Sequence, residues 1–179
     1  MTEASGDVVA FLRAQHEQIR DLLDRVAVNT GPARQSSFDD LREFLARHET
    51  AEEMVVRPLT RNAPDGEEVS KARFEEENES KRELAKLEVL DVDSEPFVGA
   101  FETFRNLVLS HAEAEEREEF PLLESSIDAQ TLRSAREKVE KAEKRAPTHP
   151  HPSARTTAMN YIAGPFASLL DRARDAFSK

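Results

Sequence analysis

The sequence predicts an all-α fold, and three observations carry that prediction. Glycine is scarce, five residues in 179, while Ala, Glu, Leu and Arg abound, which favours helices and leaves little material for hairpin turns. Apolar residues recur at alternating spacings of three and four through three long stretches, and less regularly through a fourth, which is the seam pattern of helices packed in a bundle. The breaks between these stretches are short clusters of Pro, Gly, Asn and Asp, the residues of turns.

Helix one runs from a cap at Ser5 or Asp7 to about Asn29, where Asn-Thr-Gly-Pro supplies a stop. Its seam is Leu12, His16, Ile19, Leu23 and Val26, with a histidine in the middle. Helix two is expected to open near Ser36 or Ser37 and to carry Phe38, Leu41, Leu45, His48, Glu52, Val55 and Leu59 inward. Pro58 should end or kink it, and Asn62-Ala63-Pro64-Asp65-Gly66 is the connecting turn. Helix three, roughly Glu67 to Leu90, places Leu84 and Leu87 inward, and counting back brings in Ser80, Glu77 and Arg73. Helix four starts after a cap and proline at Asp93-Ser94-Glu95-Pro96 and turns Phe97, Phe101, Phe104, Val108, His111, Glu115, Glu118 and Leu122 inward. A thinner fifth helix, about Asp128 to Lys144, has Leu132, Ala135, Val139 and Ala142 as its apolar line and is expected on the outside of the bundle. APTHPHPS from Ala146 cannot be helical, and a short amphipathic run with Phe166, Leu169, Leu170, Ala173 and Phe177 closes the chain. The expected division is a bundle over residues 1–126 and an extension over 127–179 that packs on it.

Composition narrows the chemistry. A net charge of −11 argues against nucleic acid or an anionic membrane as partner, since both need a basic footprint. The chain has no cysteine, so thiolate sites, thiol catalysis and disulfides are excluded, and any metal must be held by His, carboxylate and water. MTEASGDVV has no basic region ahead of an apolar run, and no stretch approaches the ~18 apolar residues of a membrane span, so a soluble cytoplasmic protein is expected. There is no Gly-rich phosphate loop and no recognisable Ser or Thr nucleophile beside a histidine, which leaves hydrolase and nucleotide-binding readings without support.

The chemistry-bearing feature is a stretch that occurs twice. FLARHETAEEMVVRPL (44–59) and LVLSHAEAEEREEFPL (107–122) superpose on a shift of 63 positions, His48 on His111 and Glu52 on Glu115. Residues four apart in a helix stand on one face, so each copy aims an imidazole and a carboxylate at one point. All four interrupt apolar seams, and a buried, unpartnered carboxylate costs several kcal/mol. With His16 on a third seam, the set reads as a metal cage suited to iron or manganese, with zinc possible, because imidazole and carboxylate are the ligands on offer and helix bundles build such cores from facing helices. Glu77 joins by its inward phase. Glu53, Glu116, Glu118, Glu119 and the remainder of the run Glu75 to Glu77 read as solvated helix faces, and His149 and His151 as surface residues.

On these residues the chain resembles the hemerythrin-like, HHE cation-binding family over roughly residues 8 to 125: AQHEQIRDLLDRV, HETAEEMVVRPL and HAEAEEREEFPLL look like its first, second and fourth helix signatures. The resemblance implies an antiparallel up-down four-helix bundle and a non-haem di-iron centre, with His16, His48 and His111 as terminal ligands and Glu52 and Glu115 bridging the irons. It also implies a small diatomic or peroxide ligand. The departure is in helix three, where family members usually place one or two histidines and this chain has FEEENESKREL. Glu77 is the first candidate to fill that gap, His149 or His151 folded back the second, and Glu49 ranks below Glu77. The expected function is iron binding with reaction toward, or sensing of, dioxygen or related small oxidants. One rival is an enzyme that decomposes peroxide or nitric oxide at the same centre, and another is a metal-free helical interaction module.

Overall fold

The structure, a computed structural model, describes residues 6–145. The proline strap with His149 and His151, and the terminal amphipathic run, lie outside the described residues. All regular structure among the described residues is helical, in the order α1 (Val8–Val28), α2 (Gly31–Ala51), a π turn (Glu52–Val56), α3 (Arg57–Asn62), α4 (Gly66–Leu87), α5 (Glu95–Ala114), a second π turn (Glu115–Glu119), α6 (Phe120–Ser126) and α7 (Ala129–Arg145). Because the π turns are continuous with their neighbours, 31–62 and 95–126 are single long rods. With α1 and α4 they make the four-helix bundle, and α7 packs across α1 and α2.

Local chemistry sets the ends of these rods. Asp7 caps α1 by accepting from the Ala10 amide at 3.0 Å, and Ser94 caps α5 by accepting from Phe97 at 3.3 Å. Helix two begins earlier than the expected Ser36 or Ser37. Gly31 takes a left-handed φ of +57°, and Pro32 sits in the first turn, where a missing amide costs nothing, so the stop for α1 is also the start of α2. Ser37 is buried within that helix, donating to the Ala33 carbonyl at 2.9 Å.

The apolar seams form two clusters. One joins Ile19, Leu23, Phe38, Leu41, Leu45, Leu84, Leu87, Phe97, Phe101 and Phe104. The other joins Val8, Leu12, Val56, Phe120 and Leu123 to Leu132, Ala135 and Val139 of α7. α7 therefore covers a core that the four rods leave open, and its thin apolar line is buried. Between the clusters in every rod lies a polar layer: His16 in α1, His48 and Glu52, Glu77 and Arg73 in α4, His111 and Glu115.

Pro58 does not end its helix, which continues to Asn62. The reason is the π turn ahead of it. The Arg57 amide donates to the Glu52 carbonyl five residues back, and the Phe120 amide does the same to Glu115 ahead of Pro121. The wider turn relieves the clash a proline ring makes with the preceding turn of an α-helix.

Candidate metal centre

The two π turns start at the two glutamates of the repeat. Each turn inserts one extra residue, so the inward face slips by one position beyond it. Val56 and Thr60 are buried instead of Val55 and Leu59, and Glu119 and Leu123 instead of Glu118 and Leu122. This slip brings in side chains that the heptad count places elsewhere, above all Arg57 and Glu119.

His16, His48, Glu52, Glu77, His111 and Glu115 come together in one layer, each 5 % exposed or less. Three groups of potential ligand atoms lie within 4.8 Å of one another: His16, His48, Glu52 and Glu115; Glu49, Glu52 and His111; Glu77, His111 and Glu115. Glu52 and Glu115 belong to both ends, so the layer has a His16/His48 half and a His111 half joined by two carboxylates. Glu49, ranked low from the sequence, enters the second half alongside Glu77.

An outer ring fixes the imidazoles. His16 Nδ1 donates to Glu116 at 2.8 Å, His48 Nδ1 to the Gln15 side-chain oxygen at 2.9 Å, and His111 Nδ1 to Glu76 at 2.9 Å. Each Nε2 is thereby turned inward, the arrangement typical of metal-ligating histidines. Glu116 is steadied by Arg20 at 3.0 Å and Gln15 by Glu143 at 2.5 Å. Glu116 and Glu76 are thus supports of the centre, not the free solvated faces expected of them.

Arg57 lies on the His111 half. Its Nη2 is 2.5 Å from Glu77 Oε1, 2.6 Å from Glu115 Oε1 and 3.6 Å from Glu52 Oε2. Its Nη1 donates to Glu119, which also accepts from the Thr60 hydroxyl. Glu119 is fully buried, so its expected place on a solvated face is corrected. The π turn carried it inward. The sequence held only a partial signal: a proline inside each rod, and the adjacent apolar pairs Val55-Val56 and Leu122-Leu123, which fit either register.

Burial and neighbouring charge act differently on each group. Burial, then the His16 ring, lowers the His48 pKa to about 3, so it stays neutral. Burial and the nearby Glu77 push Glu49 up to about 8. Burial and Glu115 push Glu52 well above the carboxylate range. Glu115 goes the other way: against burial, His111 and Arg57 hold it well below that range. Burial lowers the His111 pKa, but Glu115, 3.3 Å away, together with Glu76 and Glu49 raises it well above the usual imidazole value.

The residues fit a metal. His16 Nε2, His111 Nε2, both Glu52 oxygens, and Oε2 of Glu49, Glu77 and Glu115 are buried and make no hydrogen bond among the described residues. Orphaned buried polar atoms on this scale are rare, and bound cations would satisfy these donors together. Carboxylates shared between facing groups of donors are how helix bundles build metal sites in their cores.

A cleft of about 630 Å³ opens between α3 and α4, walled by Met54, Pro58 and Phe74, with Arg57 and Glu77 among its lining residues. No described helix is long and apolar enough to cross a membrane.

Comparison with known proteins agrees with this geometry. The hemerythrin HHE cation binding domain matches residues 7–123. The chain is 29 % identical over 138 residues to an uncharacterized hemerythrin-like protein of Schizosaccharomyces pombe, covering 75 % of this chain and 68 % of that protein. It also superposes on the crystal structure of a hemerythrin HHE cation binding domain-containing protein from Mycobacterium kansasii with a TM-score of 0.73, covering 93 % of this chain and 98 % of that one, at 18 % identity.

Proposed function

We propose that this chain, which belongs to the hemerythrin HHE cation binding domain family, holds two iron ions and uses them to react with dioxygen or a related small oxidant such as peroxide. The observation that carries the reading is the set of orphaned donor atoms, aimed from all four rods at one dry layer. His16 and His48 would hold one ion, and His111, Glu77 and Glu49 the other, with Glu52 and Glu115 shared. Imidazole and carboxylate suit iron or manganese, and of the two divalent ions the ferrous ion is the more readily oxidised by oxygen. Two ferrous ions held by these residues would supply the two electrons that such an oxidant takes up.

The protein's own contribution is placement and charge. The outer ring of Glu116, Gln15 and Glu76 holds the imidazole rings in register, so the ligands need no rearrangement on binding. Phe120 stacks on His16 at 5.5 Å between centroids, and Phe44 on His48 at 6.5 Å, which keeps water from that half. In the other half Glu77 stands where the family resemblance implies imidazole, and the added negative charge favours the more highly charged ferric state. The expected behaviour is therefore oxidation rather than reversible carriage. Anaerobic ferrous protein mixed rapidly with air is expected to go to ferric protein without recovery under vacuum. A long-lived band that reverses under vacuum would overturn the redox half of the reading, and protein from iron-replete cells holding less than about a tenth of an equivalent of metal would overturn all of it.

A further inference from the structure

The two halves of the centre differ in what already occupies their oxygens. Glu115 Oε2 faces His16 Nε2 at 3.2 Å and has no hydrogen bond, whereas Glu115 Oε1 faces His111 Nε2 at 3.3 Å and accepts from Arg57 at 2.6 Å. Glu77 repeats the pattern: Oε1, the oxygen 4.0 Å from His111 Nε2, accepts from Arg57 at 2.5 Å. A guanidinium is a cation whose donors point along a fixed fork, and here the fork spans two of the carboxylates that would hold the second ion. Among the described residues the His16/His48 half has no such occupant; Phe120 fills the corresponding place, since residue 120 is residue 57 shifted by 63.

We propose that Arg57 is a built-in competitor for the second ion, so that the centre loads in two unequal steps, the His16/His48 half first. The second ion binds as the guanidinium leaves Glu77 and Glu115 for the adjoining cleft, which Arg57 lines together with Met54, Pro58 and Phe74. Glu119, fixed by Thr60, retains Arg57 by one end of its fork and keeps the freed charge paired. Charge balance supports the exchange: with Arg57 paired to Glu119, the carboxylates of Glu49, Glu52, Glu77 and Glu115 neutralise two divalent ions, so the guanidinium is in surplus only at the metal-facing oxygens. The consequence is a centre whose second position fills only above a threshold of free metal.

The inference rests on the cation-binding reading, and the test separates the two. Metal-stripped full-length protein is titrated with Mn²⁺ and followed by calorimetry and by electron paramagnetic resonance, where a lone ion and a coupled pair have different signals. The wild type is expected to bind a first ion at least about tenfold more tightly than a second, with the coupled signal appearing only in the second step. Arg57→Met is expected to bring the two affinities within about threefold. Glu119→Gln is expected to move the gap the opposite way, because loss of that charge leaves Arg57 more firmly on Glu77 and Glu115. If Arg57→Met does not fold without metal, Arg57→Lys, which keeps the charge but not the fork, is expected to narrow the gap in part. Equal steps in the wild type, or a second step weakened in Arg57→Met, overturn the inference alone. A wild type that binds no Mn²⁺ and no Fe²⁺ overturns the cation-binding reading with it.

Discussion

The π turns Glu52–Val56 and Glu115–Glu119 have the same length, the same proline two residues on and the same preceding His-x-x-x-Glu pair, yet the side chains just beyond them are opposite in kind. The first ends in Val56 and delivers Arg57 to the interior; the second ends in Glu119 and delivers Phe120. A repeated backbone has therefore produced an unequal site. Phe120 lies parallel to His16, 16° between planes, and covers that half with an apolar ring. Arg57 and Glu119 make the other half a dense charge network. The lesson is that a repeat fixes where the imidazoles and carboxylates stand, while its non-repeated neighbours decide what surrounds each half of the site.

Removing one imidazole at a time tests the inequality most severely. His48→Ala is expected to abolish the tight first step, leaving metal content at most one equivalent, whereas His111→Ala is expected to spare that step and lose the second. Each lost step should fall by more than about 100-fold, beyond the scale of outer-ring substitutions. Calorimetric titration of the metal-stripped variants, which resolves the two steps, checks both; loss of the same step in the two variants would show that the halves do not load separately.

Acid and alkali should strike different halves of the metal-free protein. His48 has a folded pKa of about 3 against 6.5, so its contribution to stability is present above 6.5 and lost as pH falls through that window. Glu49 has a folded pKa of about 8 against 4.5, so its contribution is full below 4.5 and lost as pH rises toward 8. Each has a limiting slope of about 1.4 kcal/mol per pH unit. Thermal melts from pH 4 to pH 8 check this, with His48→Gln expected to flatten the acid limb and Glu49→Gln the alkaline one. By the same sign, an ion entering the His111 half must displace the proton on Glu49.

The smallest expected effect comes from Phe120→Leu. It trims a stacked ring while leaving the site's charges alone, and should cost about 1 to 2 kcal/mol in unfolding free energy with both binding steps nearly unchanged. A large loss of first-ion affinity would mean that the ring positions His16 rather than merely covering it.

Much of the bundle was legible in the chain. The seams of α1, α4 and α5 stand as their spacing requires, and the inward phase of Glu77 comes from counting back through Leu84. The apolar line of α7 was also readable, since burial demands the same periodicity in a short helix as in a long one. Glu49 was harder, because it lies beside the seam and is drawn in only by the breadth of the polar layer.

What the sequence determined by itself is the class of fold, the rods and the donors, because helical period and hydrophobic pattern are local properties that any three or four turns already express. What tertiary structure decided lies beyond the two glutamates. A π turn holds more residues than an α turn, and a heptad count carries no term for it, so every inward position after Glu52 and Glu115 slips by one. That slip buries Arg57, Thr60 and Glu119, and whether a guanidinium shares the interior with four carboxylates depends on all the rods meeting, which no one segment of the chain specifies.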